Sequence, residues 1–290
     1  MKPSNPFAPQ RRRRLNLLAI GLNIMVPWAS FTVVYLALSF SLHYAMPPLA
    51  WMVALTILAV AVVTFLRASA ATQVPLVERG EPSWLYFGSI LTLIAVLAGC
   101  ALGDGNYSVY MEPYYNLKDL ATYKDVNPGK RSGQGLMDAG KIYFSNNTKL
   151  DLSRAMAFKN QVMFCVAPII SADTPDSRVD FWAVGTDCCD GLKPQFRCGQ
   201  YANPYARAGV RTLYNWERPY YRLAVQQAEA AYGLTALHPV FFTWVEDPLE
   251  GLNDYRDNGL KGFTLTSMVV YIVNMVVVVC TAAVYSKLGP

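Results

Sequence analysis

The chain alternates between long apolar stretches and one extended interval of mixed polarity. Leu15 to about Ser41 contains no acid or base and follows Arg11, Arg12, Arg13 and Arg14. Met46 to Leu66 opens on Pro47 and Pro48 and stops at Arg67. Trp84 to Leu102 stops short of Asp104, and Phe263 to Tyr285 begins after Lys261 and Gly262. Each reaches the roughly 20 residues that a helix rising 1.5 Å per residue needs to cross a hydrocarbon core of about 30 Å. Soluble core helices are rarely apolar on every face for that long, so the pattern predicts four transmembrane helices. Trp28, Trp51, Trp84 and Tyr285 lie at or within reach of span ends, where amphipathic rings favour the interface.

Residues 103–262 read differently. Asn106 to Asn147 is rich in Tyr, Gly and Lys and predicts irregular chain with short elements. Gln161–Ile170 and Val179–Thr186 are strand-like runs separated by the turn residues Ser171–Arg178, the signature of a β-hairpin. Pro168 suggests an edge position or a strand end. A helix over Tyr220–Tyr232 has Asn215 as a plausible cap, Pro219 near its first turn and Gly233 as its stop. Leu223, Gln227, Ala230 and Ala231 share one face of it with Tyr220 alongside; Tyr221, Val225 and Ala228 form a weaker second face. His238–Val245 is a further strand, and Pro248–Arg256 a short helix leading to the fourth span. The fold class is an α-helical membrane protein of four transmembrane helices, with a small disulfide-containing α+β domain between helices three and four. The divisions are a basic tail at 1–14, three spans within 15–102, the α+β domain at 103–262, the fourth span at 263–285 and a tail at 286–290.

Charge changes this picture by orienting it. Lys2 and the Arg11–Arg14 run precede the first span, Arg67 and Arg79 lie between the second and third, and Lys287 follows the fourth. The turn after the first span holds only His43. All basic pieces thus fall on one side, which the positive-inside rule makes cytosolic, or stromal or matrix. Residues 103–262 are expected on the opposite side, in an organelle that the sequence leaves open. The first segment is too long for a signal-peptide core and reads as an uncleaved anchor. Of the 25 Lys and Arg, seventeen lie in 103–262, against eighteen of the 20 Asp and Glu. The net charge of +5 is therefore a topology signal, and a nucleic-acid partner is not expected.

Cys100 and Cys280 sit inside spans, where a thiol is a small apolar filler that stays reduced. Cys165, Cys188, Cys189 and Cys198 form an even set in the exterior domain and read as two disulfides. Adjacent cysteines rarely bond to each other, so Cys188 and Cys189 each take one of the others. The compact Asp190–Arg197 loop favours Cys189–Cys198, leaving Cys165–Cys188. Zinc is not expected, because the only nearby histidine is His238 and the spacing is not that of a finger.

The runs Asp180–Cys189, Phe196–Gly199, Asn203–Gly209, Arg222–Tyr232 and His238–Phe242 resemble a group of multi-pass membrane proteins seen in dinoflagellates. The resemblance covers roughly Tyr143 to Pro248. It implies an exterior domain with paired cysteines and brings no reaction, cofactor or substrate.

Candidate chemistry is sparse. His43, near an interface, is a candidate ligand for haem or chlorophyll, against the plainer reading of a solvated or capping side chain, and no cofactor is expected. The spans contain no Asp, Glu, Lys or Arg, which argues against ion transport. Asn23 and Asn274 are expected to hydrogen-bond neighbouring helices. Asp173, Asp176 and Asp180 do not match a calcium loop. Ser153 and Ser171 lack a nucleophile-elbow context, and no Gly-rich phosphate loop is present. Of the sequons Asn106-Tyr-Ser and Asn146-Asn-Thr, only Asn146 is far enough from the bilayer to carry a glycan, if the chain passes through the secretory pathway. The acidic run Glu246, Asp247, Glu250, Asp254 and Asp257 reads as a polar face.

No catalytic residues emerge. The expected partners are the lipid bilayer and other membrane-protein subunits. The function is then that of a non-catalytic accessory or structural subunit of a larger membrane complex, with a photosynthetic or respiratory complex as one specific version. The alternative is a receptor or cargo-binding protein of the secretory or surface system.

Overall fold

The structure, a computed structural model, describes residues 17–72, 83–175, 177–190, 195–213 and 216–287. Lys2, Arg11–Arg14, Arg79, Asp176 and the cap at Asn215 lie outside the described residues, as do the side chains of Tyr285 and Lys287. In chain order the helices are α1 (Leu17–Ser39), α2 (Ser41–Ala45), α3 (Pro47–Thr72), α4 (Ser83–Asn106), α5 (Glu112–Asp119), α6 (Arg218–Tyr232) and α7 (Pro248–Lys287). The strands are β1 (Ala121–Val126), β2 (Ala139–Phe144), β3 (Thr148–Leu150), β4 (Met156–Asn160), β5 (Val162–Ser171), β6 (Phe181–Thr186), β7 (Ala208–Arg211) and β8 (Val240–Val245). The chain divides into two compact units, Met1–Glu112 with Asp257–Pro290, and Pro113–Arg256.

The first unit is helical. Leu17–Ser39, Pro47–Ala70, Trp84–Asp119 and Pro248–Val284 are long and apolar enough to cross a membrane. Small residues set how closely these helices approach. A Cβ on Gly99 would lie 3.1 Å from the Phe31 carbonyl oxygen, and one on Gly103 would lie 3.1 Å from the Leu38 Cβ. Helices α1 and α4 therefore meet backbone to backbone there, a contact that van der Waals packing rewards in an apolar solvent. Helix α3 turns Ala50, Ala54, Ala61 and Ala68 inward, at near-heptad spacing. The outward faces carry exposed apolar side chains such as Leu55, Leu66, Leu97, Leu265 and Ile272.

The second unit is a mixed eight-stranded sheet in the order β1-β2-β7-β8-β6-β5-β3, with β4 also paired to β5. β1 with β2 and β6 with β8 run parallel, and the other pairs are antiparallel. Both faces are covered, which is why β5, β6 and β8 read as nearly unbroken apolar runs. Alternate residues sort to opposite faces. Phe164, Val166, Trp182, Val184 and Phe241 pack under α6, against Tyr221, Ala224, Val225 and Ala228. Cys165, Ala167, Ile169, Phe181, Ala183, Phe242 and Trp244 build the other core with Ile142, Phe144 and Phe196. Helix α6 ends at Gly233, whose φ of 65° gives the left-handed C-cap that glycine adopts freely.

Several expectations are corrected. Asn106–Asn147 is not irregular: α4 runs on through a π-helical turn at Tyr107–Met111 into α5, followed by β1 and β2. Pro248–Arg256 is not a separate short helix but the first turns of α7, started by Pro248 and by Asp247 Oδ1 accepting the Leu249 N–H at 2.9 Å. Pro168 is on neither an edge strand nor a strand end. β5 pairs with β4 through Val166 and with β3 from Ile169, and Pro168 falls in the gap between them, where no ladder N–H is required. The buried face of α6 is the one containing Tyr221, Val225 and Ala228, while Leu223 is exposed. A β-branched residue and a ring interlocked with Phe164 fill the sheet surface better than Gln227 and Ala230 would.

Candidate functional site

The two disulfides are Cys165–Cys189 and Cys188–Cys198, with Cα separations of 5.9 and 5.1 Å. The four cysteines are those expected, but the preferred pairing, Cys189–Cys198 with Cys165–Cys188, is overturned. The reason lies in the strand end. Asp187 adopts a left-handed φ of 53°, donates its N–H to the Met163 carbonyl at 2.8 Å and accepts the Met163 N–H at 2.9 Å. Gly185 stands opposite Cys165 in the ladder. A Cβ there would lie 2.7 Å from the Cys198 Cβ and 2.8 Å from the Cys188 Sγ, so its bare Cα makes the room that the Cys188–Cys198 bridge occupies. Cys165, Cys188 and Cys198 bring their sulfurs within 4.8 Å of one another, but as disulfide sulfurs they are not thiolate ligands. Cys100 and Cys280 are free.

His43 is buried rather than solvated. Its Nδ1 donates to the Leu38 carbonyl at 2.7 Å and so caps the end of α1. Its ring lies 4.2 Å from that of Tyr107 and 6.2 Å from that of Trp51. Asn274 behaves as expected: its Nδ2 donates across to the α1 carbonyls of Ile24 at 2.7 Å and Asn23 at 3.3 Å. Asn23 does not, since its Nδ2 bonds the Ala19 carbonyl of its own helix at 2.8 Å and its buried Oδ1 has no hydrogen-bond partner. Trp28 Nε1 donates to the Ser267 carbonyl at 3.1 Å. Asn146 is exposed in the β2–β3 turn, whereas Asn106 is buried in α4. Asp180 accepts from the backbone of Gly133 and His238 and pairs with Arg178, and Ser153 and Ser171 hydrogen-bond Asp151 and Asn127. None of these serves a nucleophile.

A group of residues that sequence reasoning did not bring together lies around the start of α6. Met137, Arg218, Pro219, Arg222, His238, Pro239 and Phe241 line a cleft of about 450 Å³. Arg218 and Arg222 share a helix face at i,i+4. Basic side chains oppose the dipole at a helix N-terminus, so this placement is not explained by helix stability. Neither arginine has an anionic partner among the described residues. Arg211, on β7, adds to the field. Burial first, and the Arg218 charge second, pull its pKa down, and its buried Nη1 has no hydrogen-bond partner. Nearby, Glu217 accepts the Tyr221 O–H at 3.2 Å. Burial raises the Glu217 carboxyl above the ordinary range and, with the Glu217 charge, pushes the Tyr221 phenol up. On β2, Lys141 is buried with its Nζ donating to the Leu117 carbonyl at 2.6 Å, and its pKa is lowered by desolvation.

The cleft offers positive charge, proline and aromatic walls, and an exposed histidine. Comparison with protein-family models, with curated proteins and with solved structures finds no match to this chain.

Proposed function

We propose that this is a non-catalytic integral membrane protein, an accessory or assembly subunit of a larger membrane complex, which docks an acidic partner segment on its sheet unit. The observation that carries this reading is the pair Arg218 and Arg222, unneutralised among the described residues and set beside apolar cleft walls. Exposed Met137 and Leu237 extend the apolar surface along the same chain segments, and Trp216 precedes the helix that bears the arginines. Arginine and large apolar side chains are the types enriched where protein interfaces form.

Membrane placement is supported by the four apolar helices, their outward apolar faces and the use of Asn274, Trp28 and Ser39 in contacts between helices. The two disulfides support a non-cytosolic site for residues 103–262, with both termini on the other side, in agreement with the Lys/Arg distribution. Kinship with the dinoflagellate membrane proteins belongs to the same proposal and is supported by the motif string around Cys188 and Cys189.

Native electrophoresis of mildly solubilised membranes tests the reading. The protein is expected to migrate in an assembly well above its own mass of 32.2 kDa. The double variant Arg218→Glu/Arg222→Glu is expected to release it while leaving its melting temperature unchanged. Migration of the wild type as a dispersed small species would refute the accessory role and favour a receptor or cargo-binding protein.

A further inference from the structure

Two pairs of charged side chains on the sheet unit stand without partners, and they match. Arg218 and Arg222 are exposed, four residues apart on α6. Glu250 and Asp254 are exposed, four residues apart on the opening turns of α7. A helix rises 1.5 Å per residue, so each pair spans about 6 Å along one face. No ion pair or hydrogen bond engages any of the four among the described residues. The acids around them differ. Glu246 accepts from Asn203 Nδ2 at 2.7 Å, Asp247 accepts the Tyr143 O–H at 3.0 Å, and Asp257 also has a partner.

The fold keeps the two pairs apart within one chain. The arginines line the cleft with His238, Pro239 and Phe241, at the start of β8, and the acids follow its end. The six residues of β8, at about 3.3 Å each, set these ends about 20 Å apart. An ion pair closes within about 4 Å, so neither pair neutralises the other in the same chain. A second copy removes that obstacle. Each copy carries both halves of the contact, so a two-fold axis forms it twice, and four guanidinium–carboxylate pairs result. Single exposed ion pairs contribute little, but these would form together beside exposed apolar side chains, Met137 at the cleft and Leu249 next to Glu250.

We propose that the acidic segment received by the α6 cleft is the start of α7 in a second copy of this chain, with Glu250 and Asp254 of one copy paired to Arg218 and Arg222 of the other. The inference rests on the docking reading above and names its partner.

Two full-length chains with different affinity tags are co-expressed in a secretory host, and recovery of one with the other is read from detergent extracts. Wild-type copies are expected to co-purify. Arg218→Glu/Arg222→Glu in both copies, or Glu250→Arg/Asp254→Arg in both copies, sets like charges against each other and should lower recovery about tenfold or more. Co-expressing the first variant with the second restores opposite charge at both contacts and should return recovery to the wild-type level, which also shows that both variants fold. Wild-type copies that do not co-purify, recovery unchanged by either variant, or a mixture no better than each variant alone overturns the second copy as the partner. In that event the native electrophoresis described above still decides the docking reading. An assembly that is lost with Arg218→Glu/Arg222→Glu means that another subunit supplies the acidic segment, and a dispersed wild type means that the docking reading itself fails.

Discussion

Breaking the Cys188–Cys198 bridge gives the most quantitative check on the sheet unit. The bridge closes a loop with a sequence separation of 10, and Cys165–Cys189 one of 24. By the loop-closure relation these restrict the unfolded chain by about 2.8 and about 3.5 kcal/mol respectively, and because the loops overlap the two values do not simply add. Cys198→Ala removes the first without placing a hydroxyl in a site that is 3% exposed. The expected loss of about 2.8 kcal/mol corresponds to a fall in melting temperature of about 6–11 °C for a unit of this size. Gly185→Ala should act through the same place. Its new methyl lies within 2.9 Å of both bridge sulfurs and has to displace them, at about 1–3 kcal/mol for overpacking.

The assay is a tryptophan-fluorescence melt of the detergent-solubilised chain, joined to thiol alkylation of the folded protein and peptide mass mapping. With the observed pairing, Cys198→Ala exposes one new thiol at Cys188, and Cys165→Ala exposes one at Cys189. If Cys198→Ala instead frees Cys189, the pairing is the swapped one and the account of Asp187 and Gly185 fails. An unchanged melting temperature would refute the stabilisation argument even if the pairing held.

Three further outcomes follow from the same geometry. Glu217 is held above its ordinary pKa of 4.5, chiefly by burial, so the native state binds its proton more tightly than the unfolded chain. Its contribution is therefore present below the unfolded pKa and lost as pH rises through the folded one. Glu217→Gln, which keeps an acceptor for Tyr221, should melt higher than the wild type at pH about 7–8 and equal to it near pH 4; a difference independent of pH would exclude this cause. Asn274→Leu removes the two bonds to α1 and should lower stability by about 0.6–1.7 kcal/mol in detergent unfolding titrations, and no loss would mean that the amide is not a tie. Expressed in a secretory host, the chain should gain one glycosidase-sensitive mass at exposed Asn146 and none at buried Asn106, whereas a glycan mapped to Asn106 would contradict its burial.

What the sequence disclosed and what it hid divide along physical lines. The four apolar helices, the β5–β6 hairpin and the stop at Gly233 were legible because each is written in consecutive residues by hydropathy period or backbone freedom. β1 and β2 were not. Ala121–Val126 and Ala139–Phe144 interrupt their apolar residues with Thr, Lys and Asp in the first and Gly and Lys in the second, so no run or clean alternation marks them, and pairing within the sheet makes them strands. The four cysteines could be counted, but their pairing turned on a left-handed aspartate, a conformation that the residue tolerates without announcing. The cleft was hidden for a stronger reason. Met137, Arg218, Arg222 and His238 come from three distant parts of the chain, and parallel pairing of β6 with β8 helps bring His238 back toward the turn before β2. Asn23 marks the boundary between the two kinds of information. Its residue type and its place in an apolar span told that it needed a hydrogen-bond partner, and only the packing of Gly88 told that its oxygen was denied one by the protein itself.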